Sequence, residues 1–209
     1  MNYGQLKTAI ADWLMREDLT AVIPTFIRLA QARASRELRV RQMLVRATTT
    51  VEPTAEGSSF VVLPIDWLEA KNIQFNTGAA GVRPLTYVSL QEADKIRATG
   101  ATGNTTYYTL HANQIELLPP LQEAKEVELT YYATLPPLED DTDDNWMLAQ
   151  WPDIYLYGSL LQSAPYLHDD ERAGLWAGMY DRLVEEARLQ DARAETSGST
   201  PRMRFRAIG

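Results

Sequence analysis

The feature that most constrains this chain is a change of hydrophobic period that occurs twice along its 209 residues. In "YGQLKTAIADWLMRE" Leu6, Ile10, Trp13 and Leu14 recur at helical spacing and predict one buried stripe. Pro24 suits the opening turn of a second helix, where its missing N–H has no intrahelical partner. Ile23, Ile27, Ala30, Ala34 and Leu38 continue the apolar face, with Arg28, Arg33, Arg36, Arg39 and Arg41 on other parts of the surface.

From about residue 43 the period shortens. "MLVRATTTVE", "SSFVVLP", "WLEAKNIQFN" and "RPLTYVSL" are short, rich in β-branched and aromatic residues, and separated by Pro, Gly or Asn. "QEADKIRA" reads as a short inserted helix. "TYYTLHANQIELLPP" reads as a hairpin turning near Ala112 and Asn113. "KEVELTYYATLPP" supplies a last strand, Val127, Leu129 and Tyr131 pointing inward against Glu128 and Thr130. Roughly six strands are expected, with "TGATGNTT" as a flexible tip.

After "EDDTDD" the helical period returns. Pro152 opens a helix carrying Ile154, Leu156, Tyr157, Leu160, Leu161 and Ala164. A second helix carries Ala173, Trp176, Tyr180, Leu183, Val184 and Ala187 and is expected to reach about Arg193. The expected fold is therefore α+β: N- and C-terminal helices packed as a bundle, an inserted antiparallel β domain, and an extended C-terminal tail. The expected boundaries are 1–42 with 145–195 for the helical domain, 43–138 for the β domain, 139–144 for the acidic loop and 196–209 for the tail.

Charge and composition narrow the function. Apolar residues make up 45% and charged residues 23%, an ordinary globular balance. No apolar run is long enough to span a bilayer, and the first residues lack a basic and apolar leader pattern. The absence of cysteine removes disulfides, thiolate nucleophiles and cysteine–zinc sites, and fits synthesis in a cytosol. A net charge of −8 argues against general duplex binding, which needs clustered cations. The charge is unevenly spread, with five acids in the six residues 139–144 and three arginines with no acid in the last fourteen.

The best enzyme candidate is "HDDE", residues 168–171. His168 and Glu171 have i,i+3 spacing, yet the only other histidine is His111 and no second ligand pair accompanies them. The residues read better as a helix corner: Asp169 is a suitable N-cap, and Asp170 and Glu171 fall where the helix dipole favours negative charge. No GxSxG, P-loop or GxGxxG occurs. The sequence thus offers no catalytic, cofactor-binding or metal-binding residue. Trp13, Trp146, Trp151 and Trp176 fall in helical segments and are expected to pack in the core. In "PRMRFRAIG", Arg202, Arg204 and Arg206 alternate with Met203, Phe205 and Ala207 before Ile208, the period of an extended strap laid into a groove.

The ordered set of parts resembles the head-to-tail adaptor (connector) proteins of tailed bacteriophages. The resemblance is carried by "NWMLAQWPDIYLYGSLLQSAPYLHDDERAGLWAGMYDRLVEEARLQDARAETSG", the opening "YGQLKTAIADWL" with "IPTFIRLAQARASREL", and "YYATLPPLED". It implies a structural, non-enzymatic virion protein without cofactors. Such a subunit forms a homo-oligomeric ring, typically a dodecamer, in the virion neck beneath the portal. The ring extends the DNA channel, passes double-stranded DNA without specific binding, and offers a platform to a tail or nozzle protein, with no membrane involved. Assembly in the bacterial host cytoplasm is implied as well. A C-terminal extension grips the portal in such proteins, a role that falls here on Arg202, Met203, Arg204, Phe205, Arg206 and Ile208. Ring closure needs two complementary patches per subunit; Arg28 and Arg36 with Asp140, Asp141 and Asp143 are the inter-subunit candidates. The competing readings are a metal-dependent or hydrolytic tail-associated enzyme using His168, and a carbohydrate-binding module using exposed β-domain aromatics.

Overall fold

The computed structural model describes residues 1–53, 58–76, 81–101, 103–167 and 170–196. They form an α+β protein of two compact units, one from Met1–Gln42 with the chain from Leu135 onward, the other Met43–Thr134.

In the helical unit, α1 (Tyr3–Leu14) begins with a capping box. The Asn2 side chain accepts from Gln5 N at 2.9 Å, and the Gln5 side chain accepts from Asn2 N at 3.0 Å, so two otherwise orphaned donors are satisfied. Met15 ends the helix in the left-handed region at φ 53°. Helix α2 (Ile23–Glu37) carries Pro24 in its first turn and buries Ile23, Phe26, Ile27, Ala30 and Ala34. A short α4 (Trp146–Gln150) leads into α5 (Pro152–Leu167), and α6 (Asp170–Thr196) runs three residues past the expected end. Helix α5 is the central member, packed on α1, α2, α4 and α6.

The buried face of α5 differs from the sequence expectation. Leu156, Tyr157 and Leu161 are only half-buried, while Tyr155, Gly158, Ser159 and Ser163 are inside. Small residues are there because neighbours come close: a Cβ on Gly158 would lie 3.1 Å from Ala30 Cβ and 3.2 Å from Tyr180 Cε2. Helices α2 and α6 run parallel, since their linked residues rise together. Arg33 reaches Asp181 at 3.3 Å, and Arg188 donates to Glu37 O at 2.7 Å. Arg33 also lies over the Tyr180 ring, 4.5 Å from its centroid.

The tryptophan expectation needs correction. Trp176 is buried, but Trp13 is 50% exposed, resting edge-on against Tyr157 with centroids 5.7 Å apart. Trp146 and Trp151 are half-buried. Trp13 follows Ile10 on α1, but the stripe that α5 covers is narrow and already filled by Leu6, Ile10 and Leu14.

Among the described residues the β unit has eight strands rather than about six, in two four-stranded sheets. The strands are β1 (Leu44–Val51), β2 (Phe60–Val62), β3 (Trp67–Asn76), β4 (Val82–Pro84), β5 (Thr86–Tyr87), β6 (Tyr107–His111), β7 (Gln114–Leu118) and β8 (Lys125–Ala133). One sheet has the order β1-β8-β3-β4, the other β2-β7-β6-β5. All pairings are antiparallel except the short β5–β6 pair. The expected strand "RPLTYVSL" is divided, β4 serving one sheet and β5 the other.

Ile73, Phe75, Val127, Leu129 and Tyr131 from one sheet meet Val61, Ile115 and Leu117 from the other in a single apolar core. The hairpin turns at Ala112 and Asn113, with Ala112 at φ 46°. Outside the second sheet, α3 (Leu90–Ala98) packs Ala93 and Ile96 on Val88 and Leu118. Strand β7 is therefore covered on both faces, which places Glu116 in the interior between sheet and helix.

Candidate functional site

Residues 139–144, expected as a solvated loop, are seated on the start of α1. Tyr3 N donates to Asp143 O at 2.8 Å and Gly4 N to Asp141 O at 2.9 Å. These first-turn donors have no partner inside the helix, and the loop's carbonyls supply one. Lys7 forms an ion pair with Asp141. Gly4 permits the approach, because a Cβ there would lie 3.2 Å from both Asp141 Cβ and Asp141 O.

The loop is also braced from within. The Asp143 carboxylate accepts from Glu139 N and Asp140 N, each at 2.8 Å, and these bonds hold its carboxyl below the ordinary value. Asn145 then acts as a buried hub. Its carbonyl oxygen caps α4 through Leu148 N at 2.9 Å, and its amide donates to Pro136 O at 3.0 Å and Tyr155 Oη at 2.8 Å. Burial pushes the Tyr155 phenol up to about 12. Gln31 on α2 donates to Leu135 O and Pro136 O, both at 3.0 Å, which explains why the helical unit resumes at Leu135.

The arginines of the N-terminal helices divide into two groups. Arg33 pairs with Glu37 at 2.8 Å and with Asp181, Arg39 donates to Leu38 O at 2.6 Å and to Ser35 O at 3.0 Å, and Arg41 pairs with Asp191 at 2.8 Å. Arg28 and Arg36 are exposed and form no ion pair among the described residues. They stand eight residues apart on one side of α2, about 12 Å along the axis. Of the three acids grouped with them in the sequence, Asp141 and Asp143 are engaged within the chain, and Asp140 projects into solvent. The structure does not bring Arg28 or Arg36 into contact with these acids in one subunit.

Asp169, expected as a helix cap, lies outside the described residues together with His168, as do Arg202, Met203, Arg204, Phe205, Arg206 and Ile208. Among the described residues no group of three or more metal-ligating side chains converges, and no helix is long and apolar enough to cross a membrane.

Two buried carboxylates in the β unit were not singled out by the sequence. Glu116 receives a fork from Arg97, Nε to Oε1 at 2.8 Å and Nη2 to Oε2 at 2.6 Å. His111 Nε2 lies 2.9 Å from the same Oε2, and Asp94 pairs with Arg97 from outside. Arg97 thereby holds the Glu116 carboxyl below its ordinary value against the opposing effect of burial. Glu128, expected on the solvent side of β8, is also buried. It is bound by Arg46 and by Gln74 Nε2 at 2.6 Å, and its carboxyl is likewise held low, chiefly by Arg46. Glu116 is thus held by Arg97 and His111, and Glu128 by Arg46 and Gln74. The signal that could have found Glu116 was its place between apolar neighbours in "QIELLPP".

Across nearly its whole length, residues 1–204, the chain matches the family model described as SU10 adaptor protein. No curated protein matches it.

Proposed function

Because this chain belongs to the SU10 adaptor protein family, a family of structural phage head–tail adaptors, we propose that it forms a ring in the virion neck. The ring joins the portal to a tail or nozzle protein and extends the DNA channel. The observation that carries this reading is the family match over residues 1–204, which includes both units. Association with portal and tail components belongs to that role; the dodecameric number and the DNA passage are part of the proposal. The acidic balance of the subunit supports a conduit that repels phosphate and lets DNA slide.

In this reading the segment Arg202–Ile208 docks on the portal, its arginines available for paired hydrogen bonds to carboxylates. Arg28 and Arg36 of one subunit face Asp140 of the next. Asp141 and Asp143 drop out of that contact, because Lys7 on α1 pairs with the first and the loop's own amides bond the second. The test is deletion of residues 199–209. The variant is expected to keep its circular-dichroism spectrum and melting behaviour while losing co-sedimentation with portal. Retained attachment would remove the tail from the mechanism, and unchanged ring assembly in Asp140→Lys would remove the charge contact.

A further inference from the structure

Two apolar features of opposite shape are left open, one in each unit. In the β unit, Ile65 stands on the turn from Pro64 to Trp67 with a relative exposure of 105%. Val62, at the end of β2, is 67% exposed as well. The turn is held firmly: Trp67 N donates to Pro64 O at 3.1 Å, Thr134 N to Asp66 O at 2.8 Å, and Tyr131 Oη to Asp66 Oδ1 at 3.0 Å. A β-branched side chain on a fixed tip adds nothing to its own core and loses little freedom on docking. Beside it, Asp66 Oδ2 has no hydrogen-bond partner among the described residues.

In the helical unit, Leu38, Val40, Trp146, Trp151 and Ala187 line a small cleft of about 60 Å³. Arg41 lines it too, with a half-exposed side chain. Its Nε is bonded to Asp191, and its two η nitrogens make no bond among the described residues. Half-buried indoles around a concave surface, with an arginine beside them, have the composition of an interaction hot spot. The cleft matches the turn in both respects, offering apolar walls for Ile65 and guanidinium donors for Asp66.

We propose that the Ile65–Asp66 turn of one copy docks in the Trp146/Trp151 cleft of the next copy, with Ile65 between the indoles and Asp66 on Arg41. The occupant is a second copy because this one chain carries both the apolar and the ionic halves of the match. The two surfaces differ, so the contact is head-to-tail and closes into a ring when the rotation permits. The inference rests on the ring reading above and supplies it with a specific joint.

The chain has no cysteine, so introduced thiols report the contact alone. Full-length protein carrying both Ile65→Cys and Gln190→Cys, the latter on the cleft lining, is oxidised with and without portal. A ladder of trimers and larger species is expected on a non-reducing gel, whereas each single variant stops at dimer. Ile65→Ser is expected to weaken self-association roughly ten- to a hundredfold with an unchanged circular-dichroism spectrum. If the unsubstituted chain self-associates in sedimentation but the double variant gives no ladder, the docking is wrong and the ring reading stands. If the chain stays monomeric at every concentration, alone and with portal, both are wrong.

Discussion

In the helical unit the closest approach at a glycine involves no charge: a Cβ on Gly158 would lie 3.1 Å from Ala30 Cβ and 3.2 Å from Tyr180 Cε2, so these neighbours would have to shift to admit it. In the β unit the demanding positions are ionic, Glu116 under the Arg97 fork and Glu128 against Arg46 and Gln74. Both regions bury their elements, but through different constraints. A helix packed on four neighbours must thin its side chains to bring axes together. Helix α3 gives the second sheet an extra buried face, where Glu116 needs a cation to offset lost hydration; Glu128, on the other sheet, is covered by the Arg46 and Gln74 side chains that bond it. The comparison teaches that volume limits one unit and charge balance the other.

Overpacking should break the first unit most severely. Gly158→Leu forces α2 and α6 away from α5 and is expected to cost about 3 kcal/mol or more, measured by chemical denaturation. Hydrogen exchange would place the loss in α2, α5 and α6 and leave the β7 and β8 amides protected. Equal loss in both units would mean that they do not open separately.

The β unit should respond to charge instead. Glu116→Ala leaves Arg97 without its buried partner and is expected to cost about 2 kcal/mol. The pH dependence has a definite sign. Glu116 is held low in the folded chain and returns to the ordinary carboxylate value when unfolded. Its stabilisation is therefore present above that ordinary value and is lost as pH falls through the lower folded value. Glu116→Gln should flatten this acid slope in urea denaturation read through β-unit amides, and an unchanged slope would remove Glu116 as its source.

The smallest effect tests the seat of the acidic loop. Gly4→Val pushes against Asp141 and is expected to cost about 1 kcal/mol. The loss should show first as faster exchange at the Tyr3 amide, which Asp143 O now protects. If residue 4 tolerates valine without change in exchange, the loop adapts and the close approach is not a requirement.

Much of the candidate assembly surface was legible as residue types before it was legible as a surface. Arg28 and Arg36, without an ion pair among the described residues, could be named from the helical wheel, but their exposure depends on Glu37, Asp181 and Asp191 engaging Arg33 and Arg41 instead. The acidic run was visible as charge, while its seating is made by backbone carbonyls, which side-chain identity does not encode. Trp13 looked like core because its spacing follows Ile10, and only the narrow cover from α5 leaves it half in water. Asn145 stood in the sequence only as the first residue of the returning helical stretch, although its amide joins α4, Pro136 and Tyr155.

By itself the sequence determined the type of each long element and the position of the hairpin turn, since period and turn chemistry act over a few residues. The ordered motifs also sufficed to suggest a phage adaptor, which the family match bears out. Tertiary structure alone decided the strand order, the division of residues 82–87 between two sheets, the cations that neutralise Glu116 and Glu128, and which apolar side chains remain outside. Those outcomes depend on pairing and packing between segments distant in the chain, and no local pattern carries that information.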